Sequence, residues 1–285
     1  PQWRTAVRAP NLDGMPTSPR HEDLAALARR HTAVVAYRSA AQHWGWALLF
    51  EPTRPQLVVP RNRRVSESAR SRLTVSWRAL NPSDVVDGWV TSPARTVLDC
   101  ATALPFGEAL AVADSALRSG SVSHRALLAL AAHHPARGRA RVGRVVRHAS
   151  AAAANPFESA LRAIALGVPG LLPQPQLTIR ENGRFLGRVD LGDRALRLAI
   201  EADSFAFHGE SWMLTRDARR YDDLVAADWL VLRFAWEHVV LRQQWVSTVL
   251  SDAVALRRVQ LGVRWSTVAP AYRTNRRPTH ADRAG

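Results

Sequence analysis

The spacing of apolar residues changes about half-way along the chain, and the two halves predict different kinds of structure. Up to residue 150 most apolar residues recur every three or four positions, which is typical of helices with one buried face. Serine caps, a Ser-Pro entry and a glycine stop mark the ends of these helices. The helices predicted in this half are 21–31, 40–46 behind a Ser39 cap, 92–104, 106–120, 121–134 and 136–149. Two short apolar runs, 56–60 and 72–77, predict strands joined by the basic loop RNRRVSESARS.

From residue 155 onwards, segments with the helical spacing of apolar residues follow segments in which apolar and polar residues alternate, as in strands. Asn155 and Pro156 carry the cap and first-turn signals of a helix that runs to Gly167. The remaining predictions are strands near 174–180, 184–191, 195–203 and 229–234 and helices over 211–228 and 237–259. This order of elements predicts an α/β domain over 155–260. Residues 21–150 are expected to form a separate, mainly helical α+β domain.

The two ends of the chain lack these patterns. Residues 1–20 have prolines and glycines and no sustained period, which predicts a flexible arm, and residues 261–285 are polar and basic, which predicts a disordered tail. Apolar runs are short and interrupted by arginine, so we expect no membrane span. The N-terminus is basic without an apolar stretch, so we expect no signal peptide, and a single cysteine fits a reducing cytoplasm. The single cysteine, Cys100, lies in a helical apolar pattern and is interpreted as a core residue.

The charge of the chain is strongly positive and unevenly distributed. The formal net charge is +15, and all 39 basic residues are arginines. Residues 1–154 hold 21 arginines against 10 acids, whereas residues 155–260 hold 13 of each. A surplus of fixed cations favours a polyanionic partner, because binding releases counterions from nucleic acid. We therefore expect DNA as the partner; the alternative is a basic protein with no nucleic-acid role.

The predicted helix over 136–149 concentrates this charge, because it would carry one very basic flank. Its candidate phosphate contacts are Arg137, Arg139, Arg141 and Arg144. The alternative is a solvated helix face.

Three acids surround the third predicted strand of the second half. Glu201 and Asp203 share one face of that strand, and Asp190 ends the preceding strand, in which Val189 and Leu191 are assigned to the apolar face. If the two strands pair across the intervening turn, the three carboxylates lie together and repel one another. A divalent cation with oxygen ligands would offset that repulsion. The alternative is a surface network in which Arg184, Arg188 and Arg197 neutralise the acids.

These residues, in this order of elements, resemble the PD-(D/E)XK nuclease superfamily. The closer resemblance is to small domains related to very-short-patch-repair endonucleases. The matching stretches are NPFESALR, GRVDL, LAIEADSFAFH and RDARRYDDLVAADWLVLRF, which lie within residues 155–250. The resemblance implies a restriction-endonuclease-like fold of the order αβββαβ.

The resemblance also implies roles for particular residues. Asp190 and Glu201 would bind Mg²⁺ or Mn²⁺, and Glu158 on the preceding helix would be an accessory ligand through water. The superfamily lysine is absent and Asp203 occupies its place, while His208 is the candidate general acid or base, with a structural role as the alternative. Arg219 and Arg220 could hold a phosphate, or could instead pair with Asp222 and Asp223.

Residues 31–125 resemble AbiEi-type antitoxin proteins. The matching stretches are YRSAAQHWGW, VTSPARTVLDCATAL and VADSALRSG. Arg95, Asp99 and Asp114 within them are interpreted as structural residues.

Three functions remain open from the sequence. The first is a metal-dependent DNA endonuclease, with mobile-element defence or repair as its setting. The second is a non-catalytic DNA-binding regulator or antitoxin that retains a nuclease fold. The third is an RNA-directed enzyme of the same fold. Oligomeric state is not indicated by the sequence.

Overall fold

The computed structural model describes residues 21–203 and 211–262. The predicted flexible arm over 1–20 lies outside the described residues, as does His208. So does the predicted basic tail, apart from residues 261 and 262.

The first half of the described chain combines helices with a small mixed sheet. Its elements are α1 (His21–His31), β1 (Val34–Val35), α2 (Tyr37–His43), β2 (Gln56–Val59), α3 (Glu67–Arg70), β3 (Thr74–Trp77), a 3₁₀ turn (Pro82–Asp84), β4 (Val85–Val86), β5 (Val90–Thr91), α4 (Pro93–Ala103), α5 (Phe106–Arg118), α6 (His124–Ala132) and α7 (Ala136–His148). The strand order is β3-β2-β1-β5-β4. The pairs β2–β3 and β1–β5 are parallel, and the other two pairs are antiparallel.

Local sequence signals set most of the helix starts. The hydroxyl of Ser92 accepts the backbone N–H of Arg95 (3.4 Å), and that of Ser123 accepts the N–H of Ala126 (3.2 Å), as the cap signals predicted. The predicted cap at Ser39 is wrong. Here α2 already begins at Tyr37, and the buried Ser39 hydroxyl instead accepts the N–H of Gln56, at the start of β2 (3.0 Å).

The second half contains the predicted order of helix, three strands, helix and strand. Its elements are α8 (Pro156–Ala165), β6 (Gln174–Glu181), β7 (Arg184–Asp193), β8 (Leu198–Asp203), α9 (Ser211–Ala226), β9 (Leu230–Ala235), α10 (Trp236–Leu241) and α11 (Gln243–Leu261). The sheet order is β6-β7-β8-β9, with β8 and β9 parallel and the other pairs antiparallel. The single helix predicted over 237–259 is two helices, because Arg242 adopts a non-helical conformation between them.

The second sheet is covered on both faces. One face packs against α8, α10 and α11 through a core that includes Leu191, Ile200 and Phe234. The other face packs against α9 through a smaller core around Leu224. The two halves of the chain meet where α5 packs against α8, and there Gly107 approaches Ala160 and Ala163 closely. The chain is therefore a mixed α/β protein with two mixed sheets and a helical junction.

Within the described ranges, no helix is both long enough and apolar enough to cross a membrane.

Candidate functional site

The candidate site lies where β7 and β8 stop pairing. The last paired residues are Leu191 and Ile200. At the next position, the backbone N–H of Asp190 donates to Oε2 of Glu201 (3.2 Å), and the N–H of Ala202 donates to Oδ2 of Asp190 (2.9 Å). Carboxylate oxygens thus accept hydrogen bonds from backbone N–H groups at the point where the pairing of β7 with β8 has ended. The structure brings Asp190 and Glu201 together, as the strand pairing predicted.

A residue that the sequence did not single out, Gln176, joins this pair to α8. Its side-chain Nε2 donates to Oε2 of Glu158 (2.8 Å) and to Oδ1 of Asp190 (3.3 Å). Its backbone φ is +53°, in the left-handed region. Pro175 beside it gave no clear signal, because proline also occurs in regular edge strands, and β6 is the edge of its sheet.

Strand β7 changes faces at Asp190, the residue opposite Gln176 of β6. Val189 packs in the core under α9, whereas Leu191 packs in the core under α8. Alternate residues of a regular strand share a face, so the prediction that Val189 and Leu191 share one is wrong. Pairing with β6 is broken at the same level, since Pro175 faces Leu191 and the next pair is Leu177 with Val189. Asp190 therefore lies at an interruption of the sheet.

Glu158 lies behind Asp190 in the first turn of α8 and is only 4% exposed. Its Oε1 accepts Nδ2 of Asn155 (2.8 Å), and its Oε2 accepts both the N–H of Ala154 (2.9 Å) and Nε2 of Gln176. Burial raises the pKa of Glu158, while the hydrogen bonds from Ala154 and Gln176 oppose that shift. Its link to Asp190 is the amide of Gln176.

The Asp190 carboxyl is strongly perturbed. Burial, followed by the negative charges of Glu158 and Glu201, raises the pKa of Asp190 to about 8. Without a cation, Asp190 is therefore mostly protonated at neutral pH. A cation beside it would favour its ionised form.

Glu201 and Asp203 are each paired with an arginine. Nη1 of Arg220, on α9, donates to Oε1 of the buried Glu201. Arg233, on β9, forms an ion pair with Asp203 (2.7 Å). Both guanidinium groups stack on the ring of Tyr221, each with its central carbon 4.5 Å from the ring centroid.

The arginines of the alternative surface network do not neutralise these acids. Arg184 pairs with Asp223 (2.7 Å), Arg197 pairs with Glu181 (3.0 Å), and Arg188 is exposed. The neutralising arginines are Arg220 and Arg233 instead. Arg219, the other predicted phosphate ligand on α9, is exposed.

Asp190 and Glu201 are the two carboxylates that the structure brings together at the place predicted for a cation. Mg²⁺ usually keeps several waters and binds through one or two carboxylates together with substrate phosphates. All four oxygens of this pair accept hydrogen bonds, from Gln176, Ala202, the Asp190 N–H and Arg220, so a cation would have to displace some of these donors. In the described part of the chain, no group of three or more His, Cys, Asp or Glu side chains is arranged to hold a metal ion. The predicted metal ligands are thus a pair, next to an arginine that competes for Glu201.

The predicted phosphate-binding arginines of α7 are exposed, but three of them already bind the protein. The helix is interrupted at Arg137 and Gly138, so the continuous basic helix predicted over 136–149 is wrong at its start. Arg139 donates to the carbonyl of His134 (2.7 Å), Arg141 donates to the carbonyl of Leu104 (3.0 Å), and Arg144 stacks 3.8 Å from the ring centroid of Phe106.

The acids interpreted as structural have structural partners. Asp99 is buried and binds Arg78 and Arg95, and Asp114 is buried and binds Arg162 (2.6 Å). Cys100 is fully buried, and this burial raises the pKa of its thiol, as expected for an unreactive core residue.

The match to a known family covers the first half of the chain. Residues 32–148 match the family model described as the AbiEi antitoxin C-terminal domain. This region is antitoxin-like. Two proteins of Mycobacterium tuberculosis, the uncharacterized MT2308 of strain CDC 1551 and Rv2248 of strain H37Rv, are each 30% identical to this chain over 145 residues. That stretch is 50% of this chain and 53% of each relative, so the similarity spans about half the length of both.

One solved structure is also similar. It is the crystal structure of the RV2827C protein of Mycobacterium tuberculosis, which is 16% identical, with a TM-score of 0.35. The similarity covers 59% of this chain and 67% of that one. The match to the family model confirms the antitoxin-like prediction for residues 32–148. The nuclease resemblance of residues 155–250 stays a prediction.

Proposed function

We propose that residues 155–260 form a restriction-endonuclease-like domain that hydrolyses DNA phosphodiesters with Mg²⁺ or Mn²⁺, attached to an antitoxin-like region. The observation that carries the proposal is the meeting of Asp190 and Glu201 where β7 and β8 part. Both acids lie beside an interruption of the sheet, and the Asp190 carboxyl carries an excess of nearby negative charge. This is the electrostatic setting in which a bound cation is favoured.

The acids have two kinds of task in this proposal. Asp190 and Glu201 would bind the cation, which would supply an activated water and stabilise the charge that develops on the phosphate. Glu158 and Gln176 orient Asp190 through their hydrogen bonds. Arg220 extends from α9 to Glu201. In this proposal its guanidinium group leaves the carboxylate of Glu201 and binds a substrate phosphate. His208 is proposed as the general acid or base from the family resemblance.

The second candidate is a DNA-binding regulator or antitoxin without catalysis. It is favoured by the Arg220–Glu201 ion pair, because a guanidinium already neutralises one of the two proposed ligands. The antitoxin-like region at 32–148 supports the same alternative. A regulator of this kind would bind DNA equally well with or without a divalent cation.

Plasmid cleavage separates the two candidates. Supercoiled DNA is incubated with Mg²⁺ or Mn²⁺ and the wild type, an Asp190→Asn, Glu201→Gln double variant, or a control. The control, Asp252→Asn, Glu237→Gln, makes the same two changes at exposed acids. A nuclease gives nicking by the wild type and the control, at least about 100-fold slower nicking by the double variant, and none with chelator.

The opposite result is equally informative. No cleavage by the wild type, or equal rates for the wild type and the double variant, would remove the support for a nuclease. DNA binding that persists in chelator would then favour the regulator. An RNA substrate of the same length tests the remaining alternative.

A further inference from the structure

A second basic surface lies at the edge of the first sheet, in the segment that joins β2 to β3 and includes β3. Residues 60–77 carry five arginines and one acid, Glu67. All five arginines are exposed: Arg61, Arg63, Arg64, Arg70 and Arg72. We call residues 60–77 the edge segment. Because β3 is the outermost strand of its sheet, one side of this segment has no neighbouring strand.

The backbone of the edge segment is held in place at several points. A turn closes where the N–H of Arg63 donates to the carbonyl of Pro60 (2.9 Å). The indole N–H of Trp77 donates to the carbonyl of Arg63 (2.9 Å), which ties the turn to the end of β3. Val65 packs against the core of the first sheet, and Ser66 caps α3. The arginines are therefore presented by an ordered scaffold.

The charges of the edge segment are not neutralised within the described chain. None of its five arginines forms an ion pair with a described residue, and the one side-chain hydrogen bond is from Nε of Arg72 to the carbonyl of Ser68 (3.2 Å). The arginines of α7 differ, since most of them bind or stack on the protein. A group of free guanidinium ions on a fixed scaffold favours a polyanion as the partner.

The other exposed side chains of the edge segment suit phosphate contacts. Hydroxyl groups, like guanidinium groups, commonly donate to phosphate oxygens. Of the exposed hydroxyl side chains, Ser66 caps α3 and Ser71 donates to the carbonyl of Ser68 (2.9 Å), which leaves Ser68 and Thr74 as the clearest candidates. Trp77, which is 44% exposed, is the single large hydrophobic side chain of the segment that is exposed.

The arginines fall into two groups at opposite ends of β3. Val59 pairs with Trp77, so Arg61, Arg63 and Arg64 follow at one end, whereas Arg70 and Arg72 precede Thr74 at the other. The strand is about 10 Å long at about 3.3 Å per residue, close to the roughly 12 Å width of the major groove of B-DNA. The deep, narrow major groove of RNA duplexes is less accessible. We propose that the edge segment binds the phosphates on both sides of a groove of duplex DNA.

This proposal is separate from the chemistry of the acidic site. A nuclease and a regulator would both use such a surface, and binding there needs no divalent cation. Affinity is therefore measured in chelator, so that failure of the nuclease proposal leaves the result unaffected.

The test compares three full-length variants with the wild type on a labelled 20-base-pair duplex over a range of salt concentrations. The first is Arg61→Gln, Arg63→Gln, Arg64→Gln. The charge-matched control is Arg29→Gln, Arg30→Gln, Arg125→Gln, at exposed arginines of α1 and α6. The third, Trp77→Phe, keeps the charge and removes the hydrogen bond to Arg63.

The first variant is expected to make the slope of log affinity against log salt less steep by about 2.7, since each phosphate contact contributes about −0.9 to that slope. The control should lower it by less than about 1. Trp77→Phe should weaken binding several-fold at unchanged charge, with unchanged circular dichroism. Equal losses in the first variant and the control would overturn the proposal, because net charge alone would then explain binding. Loss of binding only to double-stranded RNA or to phosphatidylserine vesicles would also overturn it.

Discussion

The backbone of Gln176 lies in the left-handed region, at φ +53°, within an eight-residue strand. Such a conformation costs a residue with a side chain about 1–3 kcal/mol. Here it accompanies the change of strand face, and the Gln176 side chain joins Glu158 to Asp190. The residue with this unfavourable backbone conformation is therefore part of the candidate site.

Replacing Gln176 by glycine and by alanine separates the strain from the hydrogen bonds. Both variants lose the amide, but only glycine adopts φ +53° without strain. Gln176→Gly is therefore expected to be more stable than Gln176→Ala by about 1 kcal/mol, measured by urea unfolding. At the exposed and regular Thr178, the same pair should show the opposite order. Alanine as the more stable residue at both positions would contradict a strained Gln176.

The raised pKa of Asp190 predicts a pH dependence of stability in the metal-free protein. The folded state holds a proton on Asp190 up to about pH 8, whereas the unfolded state releases it near pH 4. This contribution to stability is present below pH 4 and is lost as the pH rises to about 8. In Asp190→Asn that loss is absent. The free energy of unfolding, measured with urea in chelator, should therefore decrease less between pH 5 and pH 8.5 than it does in the wild type. The control Asp222→Asn, at an exposed acid, should follow the wild type; identical profiles for all three proteins would exclude the shift.

At the scale of elements, the sequence predicted what depends on neighbouring residues. The caps at Ser92 and Asn155 depend on the next three residues of the chain, and both are present. The strands β1, β4 and β5 are two residues long, too short to show a period, and were missed. The interruption of α7 was missed because Gly138 is one residue in an otherwise regular pattern.

Replacing glycine by alanine is expected to have opposite effects on stability at two positions of α7. Gly138 has φ +98°, and a β-carbon there would lie 3.2 Å from Thr102 and 3.3 Å from His134. Gly138→Ala should therefore lower the free energy of unfolding by about 1 kcal/mol or more. Gly143 lies in the regular part of the helix, where Gly143→Ala should raise it by about 0.5–1 kcal/mol. Thermal unfolding of both variants checks this, and a stabilised Gly138→Ala would mean that α7 is continuous.

The candidate site was predicted only in part, for a similar reason. Asp190 and Glu201 follow from the pairing of two consecutive strands, which alternation and turn residues indicate. Gln176 depends on an interruption shared by two strands, and Arg220 and Arg233 depend on how α9 and β9 approach the sheet. These approaches are set by packing between distant segments, and no local pattern encodes them.

At the scale of the whole molecule, α5 and α8 join the two halves through buried polar groups. Asp114 on α5 accepts Nη2 of Arg162 and the hydroxyl of Ser159 (2.7 Å), both on α8, and the N–H of Ser150 (2.7 Å). Arg162 also donates to the carbonyl of His148 (2.6 Å). Asp114 and Arg162 are almost fully buried, so each depends on the other for its charge balance.

Removing one partner of this pair should be costly. Arg162→Gln leaves the buried Asp114 without a counter-charge, and we expect a loss of about 3–5 kcal/mol in the free energy of unfolding. Arg184→Gln removes the exposed partner of Asp223 and should cost less than about 1 kcal/mol. Urea unfolding of both variants measures the difference. Equal, small losses would show that the junction is not a tight contact between the halves.

The helix α8 presents Glu158 to the candidate site and Arg162 to the antitoxin-like half, one turn apart. A gene fusion that joined residues 155–285 to an unrelated leader would leave the buried Arg162 without the carboxylate of Asp114. Recombination at this boundary is therefore disfavoured, and the two halves should be inherited together. Among natural relatives, a change at Asp114 should be accompanied by a change at Arg162.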